Sequence, residues 1–422
     1  MPGIGPSFGT KLLARQLWQR AEWWIALPIV LAASGLMIAR SLKAAFLVDF
    51  YYLLVAGRMW GAGLDPYGAG FLPAGTDLLP PDSLPFAYPP NWWIIVVPLS
   101  ALANGNAIFV WKFLNLAAAA AAAALLVRSA GRLGNATRLW PALLFVLCTF
   151  ASDIMWNAQK LGQTSLIMLL GFALLITGLT DKRRWLQVCG LAVLLLKPQI
   201  GLLFLLPLGI RRETRPAAAL ALAVAAVSCL PILFTTGVQA TVESARNFLH
   251  NLTAYGQSPW NLPIHMSGLP HLFAYLGIDM PAFVALVAAC VTATWVLRSS
   301  TDAQDGEFVV RFWLVTVATL LSMVPLHAYD FILAFSCLLL LPLLERGWSR
   351  NLMLLSVALT WSATGFTLLA FRANPSADGV WMALRLEYDL LTAAGVALSA
   401  AAVCQLRWRR GRIAASRNAA FG

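Results

Sequence analysis

The sequence predicts an all-α polytopic membrane protein, folded as a single transmembrane domain over residues 1–422. Of the 422 residues, 60% are hydrophobic and only 11% are charged, against roughly 25% charged in an ordinary soluble domain. Apolar runs almost free of charge, such as 107–127 and 352–371, approach the ~20 residues that a helix needs to cross ~30 Å of hydrocarbon. This composition excludes a water-soluble enzyme.

The basic residues predict the topology. The net charge is +12, but Lys and Arg occur in short clusters between apolar runs and not along one face, so no nucleic-acid partner is predicted. The positive-inside rule places these clusters in the cytoplasm: 11–20, 128–138, 182–184, 211–215, 298–311, 346–350 and 407–417. The last cluster belongs to a basic cytoplasmic tail, 407–422.

Consecutive cytoplasmic clusters must enclose an even number of crossings. About twelve transmembrane helices meet this condition: 23–42, 107–127, 139–156, 165–180, 185–196, 200–210, 216–236, 280–298, 308–325, 331–344, 351–371 and 390–406. The apolar segment 91–103 would break the parity if it crossed. We therefore predict that it is re-entrant or interfacial, although a full crossing remains an alternative.

The polar connections collect on the opposite side of the membrane. Two long outer loops are predicted, 43–90 with an interfacial helix at 49–60, and 237–279. Shorter outer connections are predicted at 157–164, 197–199, 326–330 and 372–389. In a bacterial inner membrane, an active site on this side would face the periplasm or exterior.

Lys197 is the strongest intramembrane signal. The helices beside it, 185–196 and 200–210, are too short to span alone, so Lys197 is expected in a cavity below the outer surface, because an ammonium facing lipid is costly. A lipid phosphate is the expected partner; a local acid such as Asp153, or helix-end carbonyls, are the alternatives. Lys160 and Gln163 are placed on the same side and are further candidate phosphate donors.

Two residues are candidate general bases. Asp49 lies at the start of the first outer loop beside aromatic residues, where it would act on an acceptor hydroxyl or merely cap the helix after it. His327 is followed three residues later by Asp330, and such a carboxylate orients a histidine and raises its basicity. The alternative for His327 is satisfaction of a helix end.

Aromatic and polar residues of the outer connections are candidate substrate contacts, because aromatic rings stack on sugars and polar side chains bind hydroxyl groups. The candidates are Tyr51, Tyr52, Asp65, Tyr67, Tyr88, His265, Tyr329 and Asp330. Each aromatic residue alone is also compatible with a structural or interfacial role.

The order of several motifs resembles glycosyltransferase family 87 of the GT-C superfamily. These motifs are Asp49-Phe50-Tyr51-Tyr52, Gly63-Leu64-Asp65-Pro66-Tyr67, Tyr88-Pro89-Pro90, Leu161-Gly162-Gln163-Thr164-Ser165, Leu196-Lys197-Pro198-Gln199, Ile264-His265-Met266-Ser267-Gly268-Leu269 and Pro325-Leu326-His327-Ala328-Tyr329-Asp330. The family contains mannosyltransferases that use polyprenol-phosphate-mannose. In place of the Asn-Gln-Ser usual in related sequences, this chain has His265-Met266-Ser267.

The resemblance implies a GT-C-like helical bundle that moves a hexose, mannose, from a polyprenyl-phosphate-linked donor to a lipid or glycan acceptor with inversion. Asp49 and His327 would activate the acceptor hydroxyl, and Lys197 would hold the lipid phosphate. No cofactor is predicted, and a divalent metal is compatible with this chemistry but not required. No phosphate-cradling glycine loop, metal-ligand triplet or GxSxG elbow occurs in the chain.

A transporter or flippase of a lipid-linked sugar is the main alternative, since it would also need many helices and a basic intramembrane site. Transporters often contain inverted repeats, and no two-half repeat is evident in this sequence. A non-catalytic assembly subunit is a third interpretation, which the density of polar residues on one side disfavours.

Overall fold

The computed structural model describes residues 27–28, 30–40, 42–43, 47–80, 83–134, 139–299, 305–344, 347–374 and 376–421. Within these residues the chain forms helices and connecting turns, with no strand. The predicted basic cluster 11–20 lies outside the described residues. The α-helices are α1 Val30–Arg40, α2 Val48–Gly61, α3 Phe71–Ala74, α4 Trp93–Ser100, α5 Asn104–Leu133, α6 Leu139–Phe150, α7 Asp153–Leu161, α8 Ser165–Thr180, α9 Arg184–Leu194, α10 Pro198–Ile210, α11 Arg215–Val227, α12 Leu230–Gly256, α13 Leu269–Tyr275, α14 Ala282–Arg298, α15 Asp305–Met323, α16 Ile332–Ser336, α17 Trp348–Ala373 and α18 Ala377–Phe421.

The helices fit an integral membrane protein. In the described part of the chain, 4 helical stretches are long and apolar enough to cross a membrane: Asn104–Leu133, Leu139–Leu161, Asp305–Met323 and Asp378–Leu406. Shorter apolar helices, including α8, α9, α10, α11 and α14, accompany them. The predicted count of twelve crossings stays a prediction.

Several helix boundaries differ from the prediction because polar helices lie in segments that were predicted as outer loops. The predicted helix 216–236 is interrupted after α11, and a proline near the N-terminus of α12 starts a new helix. Proline favours a first helical turn because it has no backbone N–H to lose there. Helix α12 then fills the first half of the predicted outer loop 237–279. Similarly, α17 and α18 leave only a short break in the predicted loop 372–389, and α18 continues through the predicted tail.

Two other predicted crossings are subdivided. The predicted helix 139–156 breaks after α6, and the Ser152 hydroxyl caps α7 by accepting a hydrogen bond from the Met155 N–H at 3.3 Å. Helix α7 extends to Leu161, which shortens the predicted outer turn 157–164. The predicted helix 331–344 is a short α16 between two 3-10 helices, Ala328–Phe331 and Cys337–Leu340.

Close helix packing fixes the centre of the bundle. Helix α8 packs between α5 and α9. A Cβ atom on Gly190 of α9 would lie 2.5 Å from the backbone nitrogen of Leu175, so only glycine permits this approach; small residues have this role at many membrane-helix contacts. The Phe172 ring of α8 packs against Phe204 and Trp313, with ring centroids 5.4 and 5.7 Å apart.

The segment 91–103 contains a helix too short to span. Helix α4 has 8 residues, which at 1.5 Å per residue is about 12 Å, against ~30 Å of hydrocarbon. Helix α4 packs against α2, and the Trp92 indole N–H before it donates to the Leu196 carbonyl at 2.9 Å. This segment therefore braces the connection that carries Lys197.

Candidate functional site

Helix α2 directs Asp49 towards the connection between α7 and α8. The N-terminus of α2 has no side-chain cap, so Asp49 does not have the capping role considered from the sequence. Its carboxylate accepts hydrogen bonds from the Gln163 side-chain amide at 2.5 Å and from the Tyr88 hydroxyl at 3.4 Å. Both donors come from connections predicted on the outer side.

Gly162 makes this contact possible. Its φ is 71°, a left-handed conformation that ends α7, and a Cβ atom there would lie 2.6 Å from Cβ of Phe50. The Trp111 indole N–H donates to the Gly162 carbonyl at 3.0 Å, and the Trp111 ring stacks on Phe50. Glycine is therefore required on conformational and steric grounds, and it places Gln163 beside Asp49.

Lys197 is buried and paired. Its Nζ atom lies 2.9 Å from Oδ1 of Asp330, and the Ser165 hydroxyl donates to the same oxygen at 2.5 Å. The ammonium also lies 5.3 Å from the centroid of the Tyr329 ring, within range of a cation–π interaction. A local acid is thus the observed partner, but Asp330 in place of the Asp153 considered from the sequence.

Asp153 has a different partner. Its carboxylate lies 3.5 Å from the Arg40 guanidinium. The Arg40 guanidinium and the Lys160 ammonium lie 4.2 and 4.9 Å from the centroid of the Trp156 ring. Lys160, a candidate phosphate donor, is therefore placed beside Trp156 on α7.

Asp49 interacts electrostatically with the Lys197 pair. Burial raises the pKa of Asp49 from 3.8 to about 6; the Lys197 ammonium and the hydrogen bonds from Tyr88 and Gln163 oppose this shift, and the Asp330 carboxylate adds to it. Burial penalises the charged form of an acid, whereas a nearby cation favours it. The carboxylate and the ammonium that the sequence singled out thus lie close enough to interact electrostatically.

The hydrogen bonds of His327 define its tautomer. The Asn261 side-chain N–H donates to the Tyr255 carbonyl at 2.8 Å, which leaves the Asn261 side-chain oxygen facing Nε2 of His327 at 2.9 Å. Because an amide oxygen only accepts, Nε2 carries the proton. Nδ1 then accepts from the Tyr388 hydroxyl at 3.2 Å.

His327 is therefore poorly placed to act as a base. Burial lowers its pKa from 6.5 to about 4; the nearby Lys197 ammonium lowers it further, and the Asp330 carboxylate opposes the shift. The ring is neutral at pH 7, and both of its nitrogens are engaged. Of the two candidate bases, only Asp49 combines a raised pKa with neutral hydrogen-bond donors.

Three tyrosine side chains lie near these groups. Tyr88, Tyr255 and Tyr329 are surrounded by protein, yet each keeps part of its surface accessible. All three are close enough to Asp49 and Asp330 to interact with them electrostatically. Three tyrosine side chains therefore lie close to both carboxylates.

Other predicted substrate contacts stabilise the first outer loop. The Tyr52 hydroxyl accepts from the Leu84 N–H at 2.6 Å. The Asp65 carboxylate accepts from the Tyr67 N–H at 3.0 Å, and the Tyr67 hydroxyl donates to the Tyr88 carbonyl at 2.8 Å. Tyr51 is half-buried against the core. His265 lies farther along the chain and stacks on Trp381, with ring centroids 4.6 Å apart.

The sequence did not single out Ser165, Tyr255, Asn261 or Tyr388. Ser165 belongs to the motif Leu161-Gly162-Gln163-Thr164-Ser165, and its position two residues after Gln163 is a usable signal. The contacts of His327 with Asn261 and Tyr388 span 66 and 61 residues, and no local pattern marks contacts at that separation. Among the described residues, no group of three or more His, Cys, Asp or Glu side chains is arranged to hold a metal ion.

The fold and the site define an integral membrane protein in which a half-buried acid, Asp49, lies close to a buried ammonium, Lys197. A family model, glycosyltransferase family 87, matches residues 86–325, more than half of the chain. The chain belongs to this family and is a membrane glycosyltransferase. The match includes Tyr88, Gln163 and Lys197, whereas Asp49 lies well before it and His327 lies just after it. Neither the curated proteins nor the solved structures contain a match to this chain.

Proposed function

We propose that this glycosyltransferase moves a hexose, mannose, from a polyprenyl-phosphate-linked donor to a hydroxyl group of a lipid or glycan acceptor, with inversion at the anomeric carbon. The observation that carries the proposal is that Asp49, whose pKa is raised to about 6, lies close enough to the buried Lys197 to interact with it electrostatically. The first group suits proton removal, and the second suits an anionic leaving group.

The reaction proceeds in one displacement. The acceptor oxygen forms a bond to the anomeric carbon while its proton passes to the Asp49 carboxylate. The bond from the anomeric carbon to the phosphate oxygen breaks, and its electron pair stays on the polyprenyl phosphate. One base is sufficient, as in inverting glycoside chemistry. A pKa of about 6 leaves Asp49 ionised at pH 7 and close to the optimum for a general base.

Lys197 is proposed to hold the donor phosphate. An ammonium has three N–H donors, and the contact with Asp330 uses one of them. Asp330 and Ser165 thereby fix the position of Nζ, and the other two donors can meet phosphate oxygens. Such prearranged donors stabilise charge as it develops on the leaving group.

The neighbouring polar residues have supporting roles in this proposal. The Gln163 amide donates to Asp49, so we assign it to the orientation of the base. Lys160 remains a candidate for contact with the phosphate or the head of the donor lipid. His327 has a positioning role, because its hydrogen bonds hold the side chains of Asn261 and Tyr388 beside the site. Tyr88 and Tyr329 contact the transferred sugar.

The proposed topology is a GT-C-like bundle of twelve crossings in a bacterial inner membrane, with the site facing the periplasm or exterior. Helices α9 and α10, of 11 and 13 residues, are each shorter than the ~20 residues of a spanning helix. These lengths support a position of the Lys197 connection below the membrane surface, where the phosphate of a lipid donor would reach it.

The test is a transfer assay with purified protein in detergent. With polyprenyl-phosphate-mannose and a soluble methyl mannoside as acceptor, we expect release of free polyprenyl phosphate and a glycosidic product of inverted anomeric configuration by NMR. Guanosine-diphosphate-mannose should not replace the lipid donor. A transporter would move the intact lipid-linked sugar across proteoliposomes without releasing polyprenyl phosphate, and that result would contradict the proposal.

A further inference from the structure

Three aromatic rings form a continuous surface near His327. The Trp381 ring packs on the Trp260 ring with centroids 5.0 Å apart, and the His265 ring stacks on Trp381 with centroids 4.6 Å apart at an interplanar angle of 20°. Trp260 is 58% exposed, so the surface is open. We refer to Trp260, His265 and Trp381 as the aromatic platform.

The platform and the contacts of His327 share two segments of the chain. Trp260 directly precedes Asn261, whose side-chain oxygen faces His327. Trp381 lies on α18 seven residues before Tyr388, whose hydroxyl donates to the other nitrogen of His327. Seven helical residues rise about 10 Å, a distance that a disaccharide can span. The segment Trp260-Asn261 and helix α18 thus each contribute one ring of the platform and one contact of His327.

Polar groups border the platform along α18. Arg385 lies one turn after Trp381, and its guanidinium donates to the Tyr275 hydroxyl at 2.9 Å. The Tyr275 hydroxyl in turn donates to the Asp389 carboxylate, which also contacts the His271 ring at 2.9 Å. Residues spaced three or four apart share one face of a helix, so Trp381, Arg385 and Asp389 form a stripe of aromatic and charged groups.

We propose that the aromatic platform is a binding subsite for a sugar ring of the acceptor, next to the sugar whose hydroxyl is glycosylated. The C–H groups of a pyranose face pack against the negative face of an aromatic ring, and Arg385 and Asp389 supply a donor and an acceptor for its hydroxyl groups. That the bound sugar belongs to the acceptor rests on the proposed function, whereas the binding of a sugar ring does not.

His265 contributes a further polar atom. Its Nδ1 lies 2.7 Å from the Pro259 carbonyl, and because a carbonyl only accepts, Nδ1 carries a proton. Nε2 is the remaining polar atom of the ring.

The first experiment measures binding without any donor. Saturation-transfer NMR with methyl α-mannopyranoside and methyl α-mannobioside should show transfer to the ring C–H protons in the wild-type protein. In Trp381→Ala the saturation-transfer signal of the mannosides should fall roughly tenfold. Trp381→Phe should retain most of that signal. Trp185→Ala is the control, because Trp185 is 60% exposed but lies at the start of α9.

The second experiment measures transfer with methyl α-mannobioside as acceptor. Trp381→Ala should raise the KM for the mannobioside roughly tenfold, while kcat and the KM for the polyprenyl-phosphate donor change little. Binding of the mannosides that fails in wild type, or that falls equally in the Trp381 and Trp185 variants, would overturn the platform. Binding that depends on Trp381, without any turnover of the donor, would retain the subsite and contradict the proposed donor.

Discussion

Asp330 and Asp49 lie in the same site but have different partners. Asp330 is buried, with the Lys197 ammonium at 2.9 Å and the Ser165 hydroxyl at 2.5 Å from one oxygen. Asp49 is held by two neutral donors, Gln163 and Tyr88, and no ion pair involving it occurs among the described residues. Asp330 therefore balances a charge that the protein already contains, whereas Asp49 is free to change its protonation state during a reaction.

The largest expected effect follows from replacing Asp49 by Asn. The rate of sugar transfer should fall by a factor of about 10² to 10⁴, which is the usual contribution of a general base to the rate. Stability should not fall. Because the pKa of Asp49 rises from 3.8 to about 6 on folding, the ionised form costs up to ~3 kcal/mol at neutral pH, and a neutral side chain avoids that cost.

The matched control is Asp77→Asn, because Asp77 is exposed and pairs with Arg58 at the surface. Thermal melting and initial rates should be compared on the same preparations. Asp49→Asn protein that melts below wild type but turns over normally would show that Asp49 has a structural role, like Asp330.

The second effect separates stability from function at Lys197. Lys197→Met leaves Asp330 buried without its cation and should destabilise the protein by about 3–5 kcal/mol. The double variant Lys197→Met/Asp330→Leu removes both charges and should recover most of the stability. It should still lack transfer, because the leaving phosphate has lost its ammonium.

The measurement is melting temperature and donor affinity for wild type and both variants. Recovery of transfer in the double variant would reduce Lys197 to a structural partner of Asp330.

The third effect is a pH dependence. Asp49 must be ionised to accept a proton, so kcat/KM should rise tenfold per pH unit below about pH 6 and level off above it. Because the pKa of His327 is about 4, its ring stays neutral around pH 6. It should therefore add no second transition to the pH–rate profile there. A profile governed by a group that titrates near pH 7 would point to another base.

The smallest effect concerns Gly162, which places Gln163 beside Asp49. Gly162→Ala places a residue with a side chain in a left-handed backbone conformation, at a cost of about 1–2 kcal/mol. The added Cβ atom would also clash with Phe50. We expect a lower melting temperature and a lower kcat. Gly105→Ala is the control, because no atom lies within 4 Å of its added Cβ. Equal behaviour of the two variants would show that the turn does not need glycine.

The sequence predicted the apolar helices better than the polar ones. The predicted helices 165–180 and 280–298 are close to α8 and α14, because long apolar runs leave few alternatives in a membrane. Helix α12 and the start of α18 were missed, since a search for apolar runs does not detect helices with many polar residues.

Within the site, the sequence indicated individual residues more easily than their partners. Lys197 was marked by its position between short apolar helices, and Asp49 by its place in the first outer loop. That Asp330 holds Lys197, and that Tyr388 and Asn261 hold His327, depends on contacts across 61 to 133 residues. Such contacts follow from helix packing, which the sequence pattern alone does not specify.

The central claim is that Asp49 acts as the base and that Lys197 holds the donor phosphate. Its most direct test is a density map of the Asp49→Asn protein bound to its polyprenyl-phosphate sugar donor. We predict phosphate oxygens within about 2.7–3.2 Å of Lys197 Nζ, with the anomeric carbon on the side of residue 49. A phosphate bound elsewhere, with the Lys197–Asp330 pair sealed off from the donor by packed side chains, would contradict the account.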